Sequence, residues 1–404
     1  MHVCHLNNYL VLRGGSECVM FDEAAMARRA GHGVDFFGCR GPGDVESRHA
    51  AFYPPGVALA DLDRAGRWRH ALRVVYNPAT GRAFRRFLDA VRPGLLHAHN
   101  IYGGLTSAVL DVAREAGLPV LMTVHDYKLV CPAYLALDRG RACLDCGGGR
   151  FYRCFQRRCH KASFAASALY TAEAYLTAWG KKYEVVRRFL CPSRFMLRTL
   201  QAHGYEPHRL AYLPNAVDAA GIEPSSGHGN YALYVGRLSP EKGLRTLLRA
   251  LAAVDMPLRL VGDGPLRAEL ESQVARDGLC DRVTFAGHRT GEELAREYRD
   301  AAFLVLPSEW YENAPMAAIE AFAHGKPVIG AAIGGIPELI EPGRHGLLFA
   351  AGDAVALAEA LRALWRDRAS WTRLGRAARE RAVQEFSFER HAADLMRLYA
   401  EVLP

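Results

Sequence analysis

Short apolar runs alternate along the whole chain with longer stretches in which apolar residues recur every three or four positions. Apolar runs of about four to eight residues are typical of buried strands, whereas the longer spacing is typical of amphipathic helices. Because the two kinds of segment alternate from one end to the other, the pattern predicts an α/β fold with parallel sheets.

Nine segments have the apolar pattern of buried strands. They are residues 2–6, 34–38, 95–97 and 120–124 in the first half, and 231–235, 258–261, 283–286, 303–306 and 328–330 in the second. Helices are predicted at 17–30, 104–116, 243–254, 265–277, 291–301 and 315–324. The two groups are separated by residues 219–230, which are rich in Gly, Pro and Ser and carry no periodicity, so we expect a linker there.

A chain of 404 residues is long enough for two domains, since single cores stop growing at roughly 250–300 residues. We expect a first domain at 1–218 with a Cys-rich insert at 131–160, and a second at 231–385 followed by a C-terminal helix at 386–404. Both would be doubly wound, Rossmann-like domains that face each other across a cleft. Ligands of such sheets bind beyond the carboxyl ends of the strands, so the cleft is the expected site.

Charge is the informative part of the composition. Half of the residues are hydrophobic and 23% are charged, as in an ordinary globular protein. The net charge of +8 comes from the first 218 residues, which hold 29 Lys/Arg and 18 Asp/Glu, against 22 and 25 in the remainder. The excess concentrates at 64–92 and 150–198. A basic first half is suited to bind anionic lipid, an anionic saccharide or nucleic acid. A solvated surface without a partner explains the charge equally well.

The sequence also bears on location. It has no run of about 18 uncharged apolar residues, so we expect no membrane-spanning helix. The start of the chain lacks the basic region and sustained apolar stretch of a signal peptide. We therefore expect a cytoplasmic protein, with peripheral contact at an anionic inner leaflet as an option.

Glycines and cations near predicted strand ends indicate an anion site. The pair Gly14-Gly15 opens a helix, where backbone N–H groups can approach a diphosphate, although a tight turn is the simpler explanation. In the second half, a strand leads through Gly236 to Arg237 and Lys242. Two cations at the carboxyl end of a strand can hold a diphosphate and stabilise it as a leaving group.

An acidic pair follows further along the chain. Glu312 precedes a predicted helix, and Glu320 lies on that helix eight residues later. Eight helical residues span roughly 12 Å, which suits a nucleotide sugar with one carboxylate at the hexose and the other at the ribose. Two solvent-facing acids are the alternative. Upstream, Gly264 lies in a strand-to-helix turn and allows close backbone approach.

Taken together, these motifs resemble the retaining nucleotide-sugar glycosyltransferases of family 4, whose GT-B architecture has two Rossmann-like domains. The resemblance covers nearly the whole chain and rests on nine segments in the family's order: GGSE from Gly14, HAHN from His97, TVHDY from Thr123, CPSRF from Cys191, LPNAVD from Leu213, VGRLSPEKG from Val235, GDGP from Gly262, LPSEWYENAPMAAIEAFAHGKPVI from Leu306 and GGIPELI from Gly334. It implies transfer of a sugar from a UDP- or GDP-linked donor to a saccharide or lipid-linked acceptor, as in polysaccharide or lipopolysaccharide biosynthesis.

The resemblance implies roles for individual residues. Arg237 and Lys242 would bind the donor diphosphate, together with the loop at Gly14 and Gly15 from the other domain. Glu320 would bind the ribose hydroxyls. The C-terminal helix would cross back to the first domain.

The resemblance also defines the reacting centre. Glu312 would sit beside the donor sugar, and His125 would contact that sugar near the acceptor. Where many members have Gly-Phe-Gly, this chain has Asn313-Ala314-Pro315, of which only Asn313 and Ala314 offer amides to phosphate. The acceptor hydroxyl would attack on the face from which the diphosphate departs, and the diphosphate would accept its proton. No Asp-x-Asp motif stands out at this site, so no catalytic Mg²⁺ or Mn²⁺ is expected.

Five of the ten cysteines fall between residues 131 and 159. Cys143, Cys146, Cys154 and Cys159 have the spacing of metal ligands, and four thiolates around Zn²⁺ would make a closed structural site. The surrounding segment is rich in Gly and Arg and could not pack a core alone, so metal could supply the missing stability. A redox-active or disulfide-bonded insert and unligated thiols remain alternatives.

Two other functions fit parts of the sequence. A zinc-containing protein that binds nucleic acid would use the cysteines and the basic half, but it leaves the second half unexplained, so no nucleic acid is expected. Another GT-B enzyme, such as a sugar phosphorylase or an epimerase, would share the fold.

Overall fold

The computed structural model describes residues 1–56, 71–224 and 229–403. Parts of the basic segment 64–92 and of the linker 219–230 lie outside the described residues. The described chain contains two six-stranded sheets and a small two-stranded hairpin. All strand pairs in both large sheets are parallel. The predicted α/β architecture with two doubly wound sheets is therefore confirmed.

The first sheet has the strand order β2-β1-β3-β4-β7-β8. The elements of this half, in chain order, are β1 (His2–Leu6), α1 (Gly15–Arg29), β2 (Gly33–Phe37), α2 (Pro78–Val91), β3 (Leu95–Ala98), α3 (Ala108–Glu115), β4 (Val120–Thr123), β5 (Leu137–Asp138), β6 (Arg141–Ala142), α4 (Tyr152–Arg157), α5 (Phe164–Trp179), β7 (Val186–Cys191), α6 (Arg194–Ala202) and β8 (Leu210–Tyr212). The antiparallel hairpin β5–β6 and helix α4 lie within the Cys-rich insert.

The second sheet has the order β11-β10-β9-β12-β13-β14. Its half contains β9 (Tyr231–Val235), α7 (Leu244–Leu251), β10 (Leu258–Val261), α8 (Arg267–Arg276), β11 (Val283–Gly287), α9 (Gly291–Asp300), β12 (Ala301–Leu306), α10 (Met316–Ala323), β13 (Val328–Ala331), α11 (Ile336–Leu339), β14 (Gly346–Phe349), α12 (Ala354–Arg366), α13 (Arg368–Glu385) and α14 (Phe388–Val402). In both sheets the strand order reverses beside the first strand, which creates the crevice where α/β sheets bind ligands.

The predicted strands agree with the structure to within two residues at either end, whereas one helix begins later than predicted. The helix expected at 104–116 starts only at Ala108, because Thr106 adopts a left-handed conformation with φ of 61° and interrupts the first turn. β7 was not predicted, since Arg187 and Arg188 interrupt its apolar run. β5, β6, β8, β14 and the helices α2, α4, α5, α6 and α11–α13 were also not predicted.

Helix α14 follows the second sheet in the chain but packs on the first. Its buried face, which includes Leu395, Leu398 and Tyr399, forms one hydrophobic cluster with Val3 and Leu121 of the first sheet. The hydroxyl of Tyr399 also bonds Nδ1 of His97 at 2.8 Å. The last helix therefore joins the two halves of the molecule.

Candidate functional site at the cleft

Two helices begin at the cleft without a side-chain cap. α1 starts after Gly14 and α10 starts after Pro315, and neither N-cap residue makes a side-chain hydrogen bond. A Cβ atom on Gly15 would lie 3.6 Å from Cγ of Met316, so the two helix starts face each other. First-turn N–H groups lack partners within their helix and carry the positive end of its dipole. The arrangement can therefore bind an anion with two phosphate groups.

The loop before α1 is held by a buried carboxylate. Glu17 accepts hydrogen bonds from Nδ2 of Asn7 at 3.2 Å and from Oγ of Ser16 at 3.0 Å. Asn7 directly follows β1, so these bonds fix the start of α1 to the carboxyl end of that strand. The position of Gly14 and Gly15 at the cleft thus follows from the GGSE motif.

Two predicted site residues form an ion pair. Nζ of Lys242 lies 2.7 Å from Oε1 of Glu312, which also accepts a bond from the hydroxyl of Ser308 at 2.6 Å. Burial acts to raise the pKa of Glu312, but the charge of Lys242 and these bonds outweigh burial and hold the pKa below its ordinary value. Glu312 is therefore ionised. The ammonium group of Lys242 also lies over the Trp310 ring, with Nζ 5.1 Å from the ring centroid.

Arg237 is exposed at the end of β9 and has no ion pair among the described residues. It acts across the cleft on Tyr134 of the Cys-rich insert. Burial and then the charge of Asp126 raise the pKa of Tyr134, while the charge of Arg237 opposes that rise. The charge of Arg237 is thus close enough to the Cys-rich insert to affect Tyr134.

Gly264 makes its close approach to a neighbouring loop. A Cβ atom there would lie 2.4 Å from the carbonyl oxygen of Leu238, and the N–H of Leu266 donates to that oxygen at 2.9 Å. Gly236 has a φ of 152°, which favours glycine. The two glycines let adjacent strand-end loops touch, and donor contact by either one stays a prediction.

The loop that replaces the family's Gly-Phe-Gly run is bound to the first half of the molecule. Asn313 accepts a hydrogen bond from Oγ of Ser193 at 2.8 Å and donates one to the carbonyl of Val124 at 2.7 Å. Asn215 donates to the carbonyl of Ala314 at 3.0 Å. The sequence predicted phosphate contacts for these residues, and it missed that the Asn313 side chain joins the two halves.

Glu320 points between α10 and α1. The hydroxyl of Tyr298 donates to its Oε2 at 2.7 Å, and burial raises the pKa of the carboxyl group. Its charge contributes to the raised pKa values of Cys18 and Asp22, where burial is the largest cause, so both α1 side chains are close by. A half-buried carboxyl with one oxygen bonded is suited to the hydroxyl groups of a ligand.

His125 lies at the carboxyl end of β4, against the Asn313 loop. Its Nε2 bonds Nδ1 of His99 at 2.9 Å, and burial lowers its pKa to about 4, so the ring is neutral near pH 7. Asp126 follows it and was missed as a site candidate, although it belongs to the TVHDY motif. Burial raises the pKa of Asp126 to about 6, against bonds from the hydroxyl of Tyr102 at 2.6 Å and the N–H of Lys128 at 2.9 Å.

All ten cysteines are free. In the insert, the neighbouring thiol of Cys159 is the main cause that lowers the pKa of Cys154, and Cys154 in turn raises the pKa of Cys159. Cys143 instead accepts a bond from Arg157 at 3.5 Å, and burial raises the pKa of Cys146 to about 12. The four thiols do not form a set with all sulfur atoms within 4.8 Å. Zinc binding by the insert therefore stays a prediction.

No helix in the described ranges has both the length and the hydropathy to cross a membrane.

Comparison with known proteins covers both halves. The family model "Glycosyltransferase Family 4" matches residues 13–220, and "Glycosyl transferases group 1" matches residues 229–367. An uncharacterized glycosyltransferase of Methanocaldococcus jannaschii is 29% identical over 215 residues, which are 53% of this chain and 60% of that protein. The chain spans about half the length of the curated relatives it matches.

Solved structures share the fold over the whole chain. A sucrose-phosphate synthase from Thermosynechococcus elongatus is 24% identical with a TM-score of 0.75, and the match covers 99% of this chain and 98% of that one. The Anabaena HepE protein in complex with UDP is 18% identical with a TM-score of 0.69, over 99% and 100% of the two chains. The predicted GT-B fold is thereby confirmed, and the comparisons give no support to the phosphorylase, epimerase or nucleic-acid alternatives.

Proposed function

Since the chain belongs to glycosyltransferase family 4, we propose that it is a retaining enzyme that transfers a sugar from a UDP- or GDP-sugar to a saccharide or lipid-linked saccharide. The observation that carries the proposal is the pair of uncapped helix starts at Gly15 and Met316, which face each other across the cleft. Arg237 and Lys242 add two cations beside them. Together these groups provide the positive charge that a nucleoside diphosphate needs.

The donor is oriented by residues on either side of the diphosphate. Glu320 binds the ribose hydroxyls through the oxygen that Tyr298 does not occupy. At the other end, Glu312 fixes the ammonium group of Lys242 between the phosphates and the sugar. His125, neutral and hydrogen-bonded to His99, contacts the sugar from the first domain. The shape of the site thus follows the order ribose, diphosphate, sugar.

The reaction replaces one bond at the anomeric carbon by another. The acceptor hydroxyl attacks on the face from which the nucleoside diphosphate leaves, and its proton passes to the departing diphosphate. Arg237, Lys242 and the two helix N-termini stabilise the charge that develops on that leaving group. Asp126, beside His125, is placed to hold the acceptor hydroxyl by a hydrogen bond. No step requires Mg²⁺ or Mn²⁺.

Release of nucleoside diphosphate from a panel of UDP- and GDP-sugars tests this function. We expect turnover with one nucleotide class, and proton NMR of the first product should show the anomeric configuration of the donor. Glu320→Gln should raise the KM for the donor, while Glu293→Gln, an exposed acid on α9, should not. A product of inverted configuration would contradict retention, and a requirement for inorganic phosphate would identify a phosphorylase.

We further propose that α5 places the enzyme on an anionic inner leaflet, where a lipid-linked acceptor would lie. A surface helix usually buries its apolar side chains, whereas α5 buries the polar residues Ser167, Thr171 and Thr177. Phe164 and Trp179 are 55% and 75% exposed. Exposed aromatic and aliphatic side chains beside basic residues are typical of helices that lie in a membrane interface.

Basic side chains accompany this apolar surface. Arg158 and Lys161 precede the helix and Lys181 follows it, and all three are exposed. The guanidinium of Arg158 lies 5.8 Å from the centroid of the Phe164 ring. This combination supports contact with anionic lipid and gives the basic first half a partner in the synthesis of polysaccharide or lipopolysaccharide.

Vesicle co-sedimentation tests the membrane contact. The wild type should bind vesicles that contain anionic lipid and be released by salt. Leu176 on α5 is 52% exposed, and Leu176→Ser with Trp179→Ser should abolish binding. Val355→Ser removes an equally exposed apolar side chain on α12, which is 71% exposed, and should leave binding unchanged. Binding that is independent of anionic lipid, or unaffected by the α5 changes, would contradict this contact.

A further inference from the structure

Four buried side chains converge beneath His125. His5 on β1, His97 on β3, His99 directly after β3 and Glu23 on α1 each offer one ligand atom, and these atoms all lie within 4.8 Å of one another. Among the described residues this is the single such set of three or more His, Cys, Asp or Glu side chains. Each of the four side chains is at most 1% exposed. Neither the donor site nor the Cys-rich insert includes them.

The distances inside the cluster match those between ligands of one metal ion. Oε2 of Glu23 lies 3.7 Å from Nδ1 of His97 and 3.8 Å from Nε2 of His99. Nδ1 of His5 lies 3.0 Å from the same Nε2 of His99. Ligands bound tetrahedrally at about 2.0–2.1 Å from Zn²⁺ are about 3.4 Å apart. The observed separations bracket that value.

The outward atoms of three of these side chains already have partners. Nε2 of His97 bonds the hydroxyl of Thr123 at 2.8 Å, and Oε1 of Glu23 bonds Nε2 of His391 at 3.2 Å. Nδ1 of His99 bonds His125 at 2.9 Å. Metal-bound histidines and carboxylates characteristically hold such outer hydrogen bonds, which set their orientation and tautomer.

The inward side of the cluster is under-satisfied. Oε2 of Glu23 is buried and has no hydrogen-bond partner, although it faces two imidazole rings. On the outer side, Nε2 of His5 is also buried without a partner, while Nδ1 of the same ring faces the cluster. A carboxylate oxygen with nothing bound to it in a dry interior is costly, whereas a divalent cation would satisfy it.

We propose that His5, Glu23, His97 and His99 form a closed structural site for Zn²⁺ inside the first domain. Three imidazoles and one carboxylate suit this ion, which accepts nitrogen and oxygen ligands in tetrahedral geometry. The ion takes the place of two present contacts, His5 to His99 and His97 to the hydroxyl of Tyr399. It joins β1, β3 and α1 at the point where α14 packs on the sheet.

The site has a consequence for His125. Zinc on Nε2 of His99 leaves the proton of that ring on Nδ1, which then donates to Nε2 of His125. His125 consequently carries its own proton on Nδ1. The ion therefore fixes the tautomer of a cleft residue without touching the substrate, and the proposal does not depend on which donor binds.

The test is metal content of the full chain. Protein stripped with a chelator is titrated with Zn²⁺, and with Co²⁺ as a spectroscopic probe. We expect one tight equivalent whose Co²⁺ spectrum has visible ligand-field bands and no thiolate charge-transfer band. Glu23→Gln and His5→Gln should weaken Zn²⁺ binding by more than about 100-fold, since even the loss of an outer partner costs about 10–100-fold.

Matched controls separate this site from its neighbours. Asp22→Asn removes the adjacent acid of α1 and should retain the ion, and Cys154→Ser should retain the same equivalent. The proposal is overturned if the wild type binds no Zn²⁺, if Glu23→Gln binds it as the wild type does, or if only Cys154→Ser loses it. If His5→Gln does not fold, the number of Zn²⁺ ions bound per chain by the wild type and by the isosteric Glu23→Gln still tests the proposal.

Discussion

At the scale of single residues, Lys242 and Glu312 each depend on the other for charge compensation. The carboxylate is almost buried, and the ammonium group is its nearest positive charge at 2.7 Å. Removal of one member of a buried pair leaves the other charge uncompensated in a poor solvent, which costs more than the pair itself contributes. The ammonium group, which we propose binds the donor, is therefore also a structural requirement.

Lys242→Met should lower the free energy of unfolding by about 3 kcal/mol, because Glu312 would remain as an isolated buried charge. Denaturant unfolding of the single variants and of the double variant with Glu312→Gln measures the coupling. Arg245→Met breaks an exposed pair with Glu269 and should cost less than about 1 kcal/mol. Equal losses of unfolding free energy in Lys242→Met and Arg245→Met would contradict a buried pair.

His125 gives the fold a specific dependence on pH. Its pKa is about 4 in the folded chain, against 6.5 for the ordinary group. Between these values the unfolded chain binds the proton and the folded chain does not, so the contribution of His125 to stability is present above pH 6.5 and falls as the pH drops towards 4.

The stability of the wild type relative to His125→Asn should therefore decrease on acidification from pH 7 to pH 4, by about 3 kcal/mol in total. Comparison of the two proteins at each pH removes the other titrating groups, including Asp126. Guanidinium unfolding at several pH values provides the measurement. A difference that stays constant over this range would show that His125 titrates normally.

At the scale of elements, the site depends on how closely two loops pack. A Cβ atom on Gly335 would lie 1.9 Å from the carbonyl oxygen of Asn313, and the N–H of Gly335 donates to the carbonyl of Glu312 at 2.7 Å. The GGIPELI motif thus supports the loop that carries Glu312 from below. It matters through backbone contact rather than through a side chain.

Gly335→Ala should displace that loop, destabilise the protein by about 1–3 kcal/mol and weaken nucleotide binding at least tenfold. Gly41→Ala is the matched control, since its Cβ would meet the Asp44 carboxylate at an ordinary 3.6 Å. Calorimetric titration with the nucleoside diphosphate that stabilises the wild type measures the affinity. Unchanged affinity in Gly335→Ala would mean that the loop position does not matter for the donor.

Several elements were predictable because their local signals are strong. The strand Tyr231–Val235 is an uninterrupted apolar run, and His2–Leu6 is apolar apart from its two histidines; the predicted bounds of both agree with the structure. β7 was not predictable from periodicity, because Arg187 and Arg188 interrupt its apolar run. Arg187, the second residue of the strand, donates to the carbonyl of Val402 on α14, a tertiary contact that no local pattern contains.

The same limit applies to the candidate site. The sequence could place Glu312 and Lys242 at strand ends, but 70 residues separate them, and only the fold shows that they pair. The role of Asn313 depends on Ser193, 120 residues away on the other side of the cleft. Spacing along the chain therefore identified which residues to examine and not which of them touch.

At the scale of the whole molecule, the cleft is bordered by contacts that hold the halves together. Asn313 bonds to the first half directly, and Glu338 on α11 bonds the N–H of Arg194 at 2.7 Å and the side chain of Arg198 at 2.6 Å. On the other side, α14 packs on the first sheet. The groups that we propose to bind the donor come from both halves, and these contacts keep them on the same cleft.

The proposed function requires that this cleft bind a nucleoside diphosphate, and thermal-shift measurements with UDP, GDP, ADP and TDP determine whether it does. A ligand at 100 times its dissociation constant stabilises the folded state by about 2.7 kcal/mol, which raises the unfolding midpoint measurably. We expect one nucleotide to stabilise the wild type and Glu293→Ala, and Glu320→Ala to show a smaller shift. No shift with any of the four, or an undiminished shift in Glu320→Ala, would contradict the donor site described here.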